Sequence, residues 1–267
     1  MADSRPIGVF DSGLGGLTVV KALRSTLPHE SIVYFGDTAR VPYGNKSKEL
    51  VSEFSMEIVD FLIKYDVKMI VVACNTVSAQ VLDELHEHST VPVIGVIHAG
   101  AEEAVKATNN NHIGIIGTMA TISSKAYEKA LSNLDKKIQT SSQACPLLVP
   151  LAEEGWLEGD VAETVVQHYV KPLNANGIDT LILGCTHYPL LKDVISRQVN
   201  KGTTLIDSAD AVAGAVKKRL SAAGQMNDAS AKSLLTCFIT DIPLHFERVG
   251  QRFLGAPMDH VQTVHDI

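Results

Sequence analysis

The 267-residue chain has few aromatic residues, no excess of basic residues and no long apolar run. Aromatic residues make up 5% of it, and the net charge of −7 argues against sequence-independent binding to nucleic acid, which needs a basic surface. No apolar stretch approaches the ~18 residues that span a bilayer, and the N-terminus has no long apolar region behind a basic start. We therefore expect a cytoplasmic protein with no nucleic-acid or membrane partner.

The four cysteines form no C-x-x-C pair, which argues against zinc-ribbon and thioredoxin-like sites. A cytosolic protein with reduced thiols is the simplest account of their spacing. Cys145 and Cys237 lie in apolar runs without adjacent polar clusters and are predicted to be buried structural residues. Cys74 and Cys185 differ, because each ends an apolar run and is followed within two positions by a threonine, in "ACNT" and "GCTH".

Short apolar runs alternate with longer helical patterns, which is typical of parallel sheets covered by helices on both faces. Ser47 is predicted to cap a long amphipathic helix, and the segments 91–97 and 144–150 ("ACPLLVP") are predicted strands. The order of strands and of the polar segments that follow them also repeats. Strands followed by "DSGLGG", "GDTARVPYG" and "ACNT" in the first pass are matched by strands followed by "GTMAT", "PLAEEGW" and "GCTH" in the second. An α/β fold of two pseudo-symmetric domains, with halves at 1–97 and 98–207, is therefore predicted.

Polar clusters follow the apolar strands at equivalent places. Ligands bind at the carboxyl ends of the strands in open parallel sheets, so these clusters predict one site at the interface of the two halves. A single cluster could be only a helix cap. The clusters are Asp11-Ser12, Asp37, Cys74-Asn75-Thr76, Thr118 and Cys185-Thr186-His187.

The glycine-rich "GLGG" at 13–16 does not fit a nucleotide-binding motif. A dinucleotide fingerprint starting at Gly13 needs a glycine at position 18, which is Thr18, and "GNKS" at 44–47 does not supply a Walker loop. We interpret it as a tight turn opening onto a helix, whose backbone N–H groups could hold a small carboxylate.

Two thiols on opposite walls of one pocket suit the inversion of a carbon acid. A thiol has an unperturbed pKa of about 8.5, which neighbouring groups lower, so Cys74 and Cys185 are credible proton carriers. His187 lies two residues from Cys185, and one of Glu153 and Glu154 is a candidate acid near the site. A cysteine-nucleophile hydrolase would need one cysteine and would leave the second cluster unexplained.

The motifs "GVFDSGLGGLTV", "GDTARVPYG", "VVACNTVSA", "GTMAT", "PLAEEG" and "LILGCTHYPLL" together resemble the cofactor-independent glutamate racemases of bacterial cell-wall synthesis. The resemblance covers the chain to about residue 210 and the tail less distinctly. It implies racemisation of glutamate without a cofactor or metal, a role in supplying D-glutamate for peptidoglycan, and a homodimer. It also implies that the tail packs back onto the first domain, giving domains at 1–97 plus 208–267 and at 98–207.

The resemblance assigns roles to individual residues. Cys74 and Cys185 correspond to the two catalytic acid/bases, with Asp11, and Asp37 nearby, on the Cys74 side. His187 and Glu153 are implied as partners of Cys185. The implied substrate-binding residues are Asp11, Ser12, Tyr43, Gly44, Asn75, Thr76, Thr118, Thr121, Thr186 and His187. An aspartate or related amino-acid racemase, and a non-catalytic sensor of a dicarboxylic amino acid, remain alternatives.

Overall fold

A computed structural model describes residues 2–228, 230, 232–241, 243–258 and 260–265. The other positions, some of which the expected first domain includes, lie outside the described residues. The strands are β1 (Ile7–Asp11), β2 (Ile32–Gly36), β3 (Met69–Val72), β4 (Val93–Gly95), β5 (His112–Gly117), β6 (Gln139–Ala144), β7 (Thr180–Gly184), β8 (Thr204–Asp207), β9 (Leu235–Ile239) and β10 (Val261–Thr263).

The α-helices lie between these strands. They are α1 (Leu17–Thr26), α2 (Lys48–Ile63), α3 (Asn75–Gln80), α4 (Leu82–His88), α5 (Val96–Ala107), α6 (Met119–Ser124), α7 (Ala126–Leu134), α8 (Leu148–Glu154), α9 (Asp160–Ala175), α10 (Lys192–Gln198), α11 (Ser208–Ala223) and α12 (Pro243–Leu254), with short 3-10 helices at Tyr43–Asn45 and Tyr188–Leu191. Ser47 caps α2 as predicted, because its hydroxyl accepts a hydrogen bond from the Leu50 N–H at 3.4 Å. None of the helices in the described part of the chain combines the length and hydropathy needed to cross a bilayer.

The strands form two sheets in which the described pairings are all parallel. One sheet has the order β10-β9-β2-β1-β3-β4, and the other has the order β6-β5-β7-β8. The order β2-β1-β3-β4 in the first sheet is the same as β6-β5-β7-β8 in the second. The predicted α/β fold, with two parallel sheets flanked by helices, is confirmed.

Side chains alternate between the two faces of each sheet, so each sheet is covered on both sides. In β1, Ile7 and Val9 belong to an apolar cluster that also contains residues of α1, α9, α10 and α11, and so extends through both halves. Phe10 points to a second cluster under α2. The second sheet packs its other face against α5 and α7. These layers bring the carboxyl ends of β1, β3, β5 and β7 to the junction of the two sheets.

Two details differ from the sequence prediction, one in each half. The predicted strand 144–150 is wrong, because the strand is β6 at Gln139–Ala144 and the apolar residues after it form a turn and α8. β6 is an edge strand rich in Ser, Thr and Gln, so it carries no hydrophobic signal. The predicted strand 91–97 is shorter, and its last residues begin α5, which the sequence pattern did not indicate.

The tail returns to the first sheet after the second is complete. β9 pairs with β2, and β10 then pairs with β9. Side chains support this junction, since the Thr240 hydroxyl donates to Asp37 at 3.0 Å and the Thr38 hydroxyl donates to the Asp241 carbonyl at 2.6 Å. The loop that follows β2 is therefore bonded to the segment that follows β9.

Candidate active site

The ends of two neighbouring strands from each sheet form the walls of one cavity. β1 and β3 pair in the first sheet up to Phe10 and Val72, and β5 and β7 pair in the second up to Gly117 and Gly184. Polar residues follow each of these strands in the chain, so the two sheets present matching sets of side chains to each other. The arrangement follows the rule that ligands bind at the carboxyl ends of parallel strands.

The cavity has a volume of about 330 Å³, which suits a small molecule. Both Cys74 and Cys185 line it, one supplied by each half of the chain. The lining residues are Ser12, Gly13, Leu14, Val41, Pro42, Tyr43, Gly44, Asn45, Cys74, Asn75, Thr76, Thr118, Met119, Pro146, Val149, Pro150, Glu153, Cys185, Thr186 and His187.

Cys74 lies directly before α3 in a buried and negatively charged environment. Its thiol is 3.8 Å from the Ser12 hydroxyl, to which it can donate. Burial, and next the negative charge of Asp11, raise the pKa of the Cys74 thiol to about 12. At neutral pH, Cys74 therefore carries its proton.

Cys185 lies beside a histidine instead of a carboxylate. Its sulfur is 3.8 Å from His187 Nδ1, and His187 Nε2 is 3.0 Å from a carboxylate oxygen of Glu153. Burial disfavours the imidazolium, but the hydrogen bonds to Cys185 and Glu153 outweigh it and raise the pKa of His187 to about 10. A positive charge thus stands next to the second sulfur at neutral pH.

The hydroxyl and amide groups of the site link the two halves. Thr76 and Thr118 approach each other with their hydroxyl oxygens 3.0 Å apart. The Thr186 hydroxyl donates to Asp11 at 3.5 Å, and the Thr18 hydroxyl donates to the Thr186 carbonyl at 3.0 Å. Each of these contacts joins a residue of the first half to one of the second, so these side chains hold the cavity in its present shape.

Three carboxyl and hydroxyl residues expected at the site lie one layer behind its surface. Asp11 is buried under the cavity floor, where it accepts from the Gly13 N–H at 3.0 Å. Burial raises the pKa of the Asp11 carboxyl, and the positive charge on His187 offsets part of that rise. Thr121 contacts the Thr118 hydroxyl at 3.0 Å and does not line the cavity. Asp37 accepts from the Tyr43 hydroxyl and holds that ring at the cavity wall.

The "GLGG" turn serves close packing between the two halves. A Cβ atom built on Gly15 would lie 2.2 Å from the Thr186 hydroxyl oxygen and 2.6 Å from His187 Nδ1. No side chain fits there, so Gly15 allows the first half to approach the "CTH" segment of the second. Tyr34 secures the same turn by donating its hydroxyl to the Gly13 carbonyl at 2.7 Å.

Sequence reasoning missed the apolar part of the cavity and its supports from the tail. The apolar lining residues are Leu14, Val41, Pro42, Met119, Pro146, Val149 and Pro150. In the sequence these residues lie in segments interpreted from their polar residues or, at 144–150, as a strand, so no sequence signal marked them as cavity wall. Phe253 in α12 packs edge-on against the His187 ring with centroids 5.2 Å apart, and Arg252 donates to the Glu153 carbonyl at 3.2 Å.

Among the described residues, no group of three or more His, Cys, Asp and Glu side chains is arranged to hold a metal ion. The chemical groups that the site does offer are two thiols, an imidazolium paired with a carboxylate, and several hydroxyl and amide hydrogen-bonding groups. This set can move protons to and from a small polar molecule held between the two sulfurs.

Comparison with known proteins agrees with this geometry. The model of the Asp/Glu/Hydantoin racemase family matches residues 17–216. A glutamate racemase of Neisseria meningitidis is 49% identical over 261 residues, which are 97% of this chain and 96% of the relative.

Solved structures give the same result. The crystal structure of glutamate racemase from Francisella tularensis in complex with D-glutamate has a TM-score of 0.92 and 41% identity, with 98% of each chain covered. That of Escherichia coli glutamate racemase in complex with L-glutamate and the activator UDP-MurNAc-ala has a TM-score of 0.81 and 28% identity, covering 98% of this chain and 99% of that one. The resemblance indicated by the motifs is thereby confirmed, and the chain belongs to the Asp/Glu/Hydantoin racemase family of amino-acid racemases.

Proposed function

We propose that the protein interconverts L- and D-glutamate by a two-base mechanism in which Cys74 and Cys185 act on opposite faces of Cα. The observation that carries this proposal is that the two halves each supply one thiol to the same cavity. The relatives named as glutamate racemases, and the solved structures that hold D- or L-glutamate, support glutamate as the substrate.

In one direction the sulfur of one cysteine, as thiolate, takes the Cα proton and leaves a carbanion. The thiol of the other cysteine then donates its own proton to the opposite face, which inverts the centre. The reverse reaction exchanges the two roles. Because Cys74 carries its proton and His187 places positive charge beside Cys185, we propose that Cys185 acts as the base and Cys74 as the acid in one direction of the reaction.

The remaining residues of the site would bind the substrate and stabilise the carbanion. Hydrogen-bond donors around the carboxylate oppose the negative charge that develops next to it, and they act most strongly in a site that excludes water. We assign this task to Asn75, Thr76 and Thr186 on the cavity wall, with Ser12, Tyr43, Gly44 and Thr118 completing the enclosure. Glu153 would hold the imidazolium of His187. Asp11, Thr121 and Asp37 would hold Thr186, Thr118 and Tyr43 in place from behind the cavity surface.

Deuterium exchange in heavy water tests the two-base mechanism. The wild type should racemise glutamate and incorporate solvent deuterium at Cα. Cys74→Ala and Cys185→Ala should each lower the racemisation rate by about 10²–10⁴-fold, since a positioned acid or base contributes that much, yet each should still exchange the Cα proton of one enantiomer. Cys237→Ala is the matched control, because its thiol is buried in β9 away from the cavity.

Racemisation at the wild-type rate by either active-site variant, or deuterium in no product, would contradict the mechanism. Running L-aspartate in parallel separates a glutamate racemase from an aspartate racemase. Binding of glutamate with no change in optical rotation would favour a non-catalytic sensor.

The resemblance to bacterial cell-wall enzymes supports three further parts of the proposal. The D-glutamate would be used in peptidoglycan synthesis in the cytoplasm, and the protein would be a homodimer. Light scattering at several protein concentrations tests the dimer. We also propose that 1–97 plus 208–267 and 98–207 are the two domains. The pairing of β9 with β2, and of β5 with β7, supports these boundaries.

A further inference from the structure

Tyr127 is a fully buried side chain of α7 whose hydroxyl group crosses to the other half of the molecule. Its ring lies against two glycines: a Cβ on Gly184 would come within 3.1 Å of Tyr127 Cε2, and one on Gly100 within 3.4 Å of Cε1. The ring is therefore held in place by β7 and α5. Its hydroxyl donates to Asn75 Oδ1 at 2.7 Å. Burial raises the pKa of Tyr127 well out of the physiological range, so this hydroxyl keeps its proton and remains a donor.

Asn75 lines the cavity and is only 2% exposed. The carboxamide group is planar, with an acceptor oxygen on one side and a two-proton donor on the other. Once the oxygen binds Tyr127, the nitrogen is directed to the other side. Among the described residues, Asn75 Nδ2 has no hydrogen-bond acceptor. A buried donor left without a partner lowers the stability of the protein, so a ligand with an acceptor oxygen would recover that free energy.

We propose that Tyr127 is a positioning residue that fixes the amide of Asn75 so that Nδ2 faces a carboxylate group of the substrate. This inference rests on the proposed function, because it takes the bound molecule to be glutamate. Without the Tyr127 hydroxyl the amide could turn its oxygen toward the cavity, where it would repel the carboxylate instead of binding it.

The same bond couples substrate binding to the arrangement of the two halves. Asn75 begins α3, which follows β3 of the first sheet, and Tyr127 lies in α7, the second helix after β5 of the second sheet. The Nδ2 donor is aimed only while the two halves are in contact. A cavity that opened by separating them would therefore release the carboxylate at the same time.

A double-mutant cycle tests the inference through the Michaelis constant. Tyr127→Phe keeps the ring and removes the hydroxyl. Its KM for both enantiomers of glutamate should rise at least tenfold, which corresponds to about 1.4 kcal/mol and is the lower end of what a hydrogen bond to a charged group contributes, while kcat should fall less. Asn75→Ala should raise KM at least as much. In the Asn75→Ala background, Tyr127→Phe should have no further effect on KM, because it acts through the amide that is already absent.

KM increases that multiply in the double variant, or an unchanged KM in Tyr127→Phe, would overturn the inference. Tyr169→Phe is the control for loss of a buried phenol hydroxyl, because Tyr169 accepts a backbone N–H from Leu147 and does not line the cavity. Its KM should equal that of the wild type.

A second variant covers the case in which Tyr127→Phe does not fold. Asn75→Asp retains an acceptor for Tyr127 but replaces the N–H donor with a carboxylate oxygen, which repels the substrate carboxylate instead of binding it. Its KM should therefore also rise, and a normal KM would refute the role of Nδ2. Failure of the wild type to racemise glutamate would instead overturn the proposed function, so the two failures are distinguishable.

Discussion

At the residue scale, the two cysteines of the cavity differ in their electrostatic surroundings although each follows a buried strand. Asp11 places negative charge near Cys74, whereas His187 places positive charge next to Cys185. The fold is nearly symmetric, but the charges are not. Inversion of a carbon acid uses one sulfur to remove a proton and the other to supply one, and this asymmetry distinguishes the two sulfurs in the proposed mechanism.

Glu153→Gln tests the electrostatic role of Glu153. The variant removes the negative partner of His187 Nε2, so the pKa of His187 should fall from about 10 toward its ordinary value. When folding raises the pKa of a histidine, the resulting stabilisation is fully present below the unfolded pKa of about 6.5. It is lost as the pH rises through the folded pKa. The wild type should therefore lose stability between about pH 6.5 and pH 10, and the variant should lose less over that window.

Denaturant unfolding at several pH values measures this difference, and NMR titration of the His187 ring measures the pKa directly. Glu154→Gln is a matched control, because the carboxylate that pairs with His187 is that of Glu153 and Glu154 does not line the cavity. Equal pH profiles for wild type and Glu153→Gln would mean that Glu153 does not hold the imidazolium.

Most cavity-lining polar residues could be predicted from the sequence because they come directly after strongly apolar strands. Their position relative to a strand end was enough to gather Ser12, Asn75 and Thr118 at one place. The sequence does not show how far a side chain lies from the cavity, since nothing in the local sequence indicates that Asp11 is buried beneath the cavity surface. Tyr127 was also missed, because its partner Asn75 is distant in sequence and only packing brings the two together.

At the element scale, apolar strands were predicted well and polar or short elements were not. β1, β3, β5 and β7 are buried on both faces and read as continuous apolar runs. β6 lies at an edge with half-exposed polar side chains, so the apolar run after it was mistaken for the strand. α5 is rich in Ala and Gly where it packs closely on α11 and α7, and those small residues weaken the helical hydrophobic pattern.

The helix α12 contributes to the site although it belongs to the tail. Phe253 is buried and packs on the His187 ring. Phe253→Ala should lower the free energy of unfolding by about 3–5 kcal/mol, as is usual for such truncations. It should also reduce kcat, because the His187 ring loses the aromatic side chain that packs against it. Phe246→Ala on the same helix is the control, since Phe246 is equally buried but packs on Tyr34.

Denaturant unfolding and steady-state kinetics on both variants separate the two effects. Similar stability losses are expected, with a change in the pH dependence of kcat for Phe253→Ala alone. If the two variants have the same pH profile, α12 acts only through stability.

At the scale of the whole molecule, a buried ion pair fastens three distant segments together. Lys68, just before β3, lies 2.6 Å from a Glu30 carboxylate oxygen, with both side chains almost fully buried. Lys68 Nζ also donates to the carbonyls of Asp3 and Gln225, at 2.8 and 2.9 Å. The N-terminal arm and the segment after α11 are thus held against the base of the first sheet, at the end opposite the cavity.

Lys68→Met should destabilise the protein by about 3–5 kcal/mol, because it leaves the Glu30 carboxylate buried without its partner charge. Adding Glu30→Gln should recover most of the loss, since the uncharged side chain still accepts the Asn227 N–H. Chemical denaturation measures both changes. The KM of either variant should match the wild type because neither residue lines the cavity, and no recovery in the double variant would contradict the role of the buried charge.

The return of the tail to the first sheet also bears on how the protein is made. β9 covers the edge of β2, yet the ribosome releases it only after the entire second sheet has been synthesised. The nascent chain therefore carries an unpaired β2 edge, a template for wrong partners, throughout that interval. All four strands of the second sheet are therefore synthesised before the first sheet is complete. The first sheet can be completed only after β9 and β10 have emerged from the ribosome.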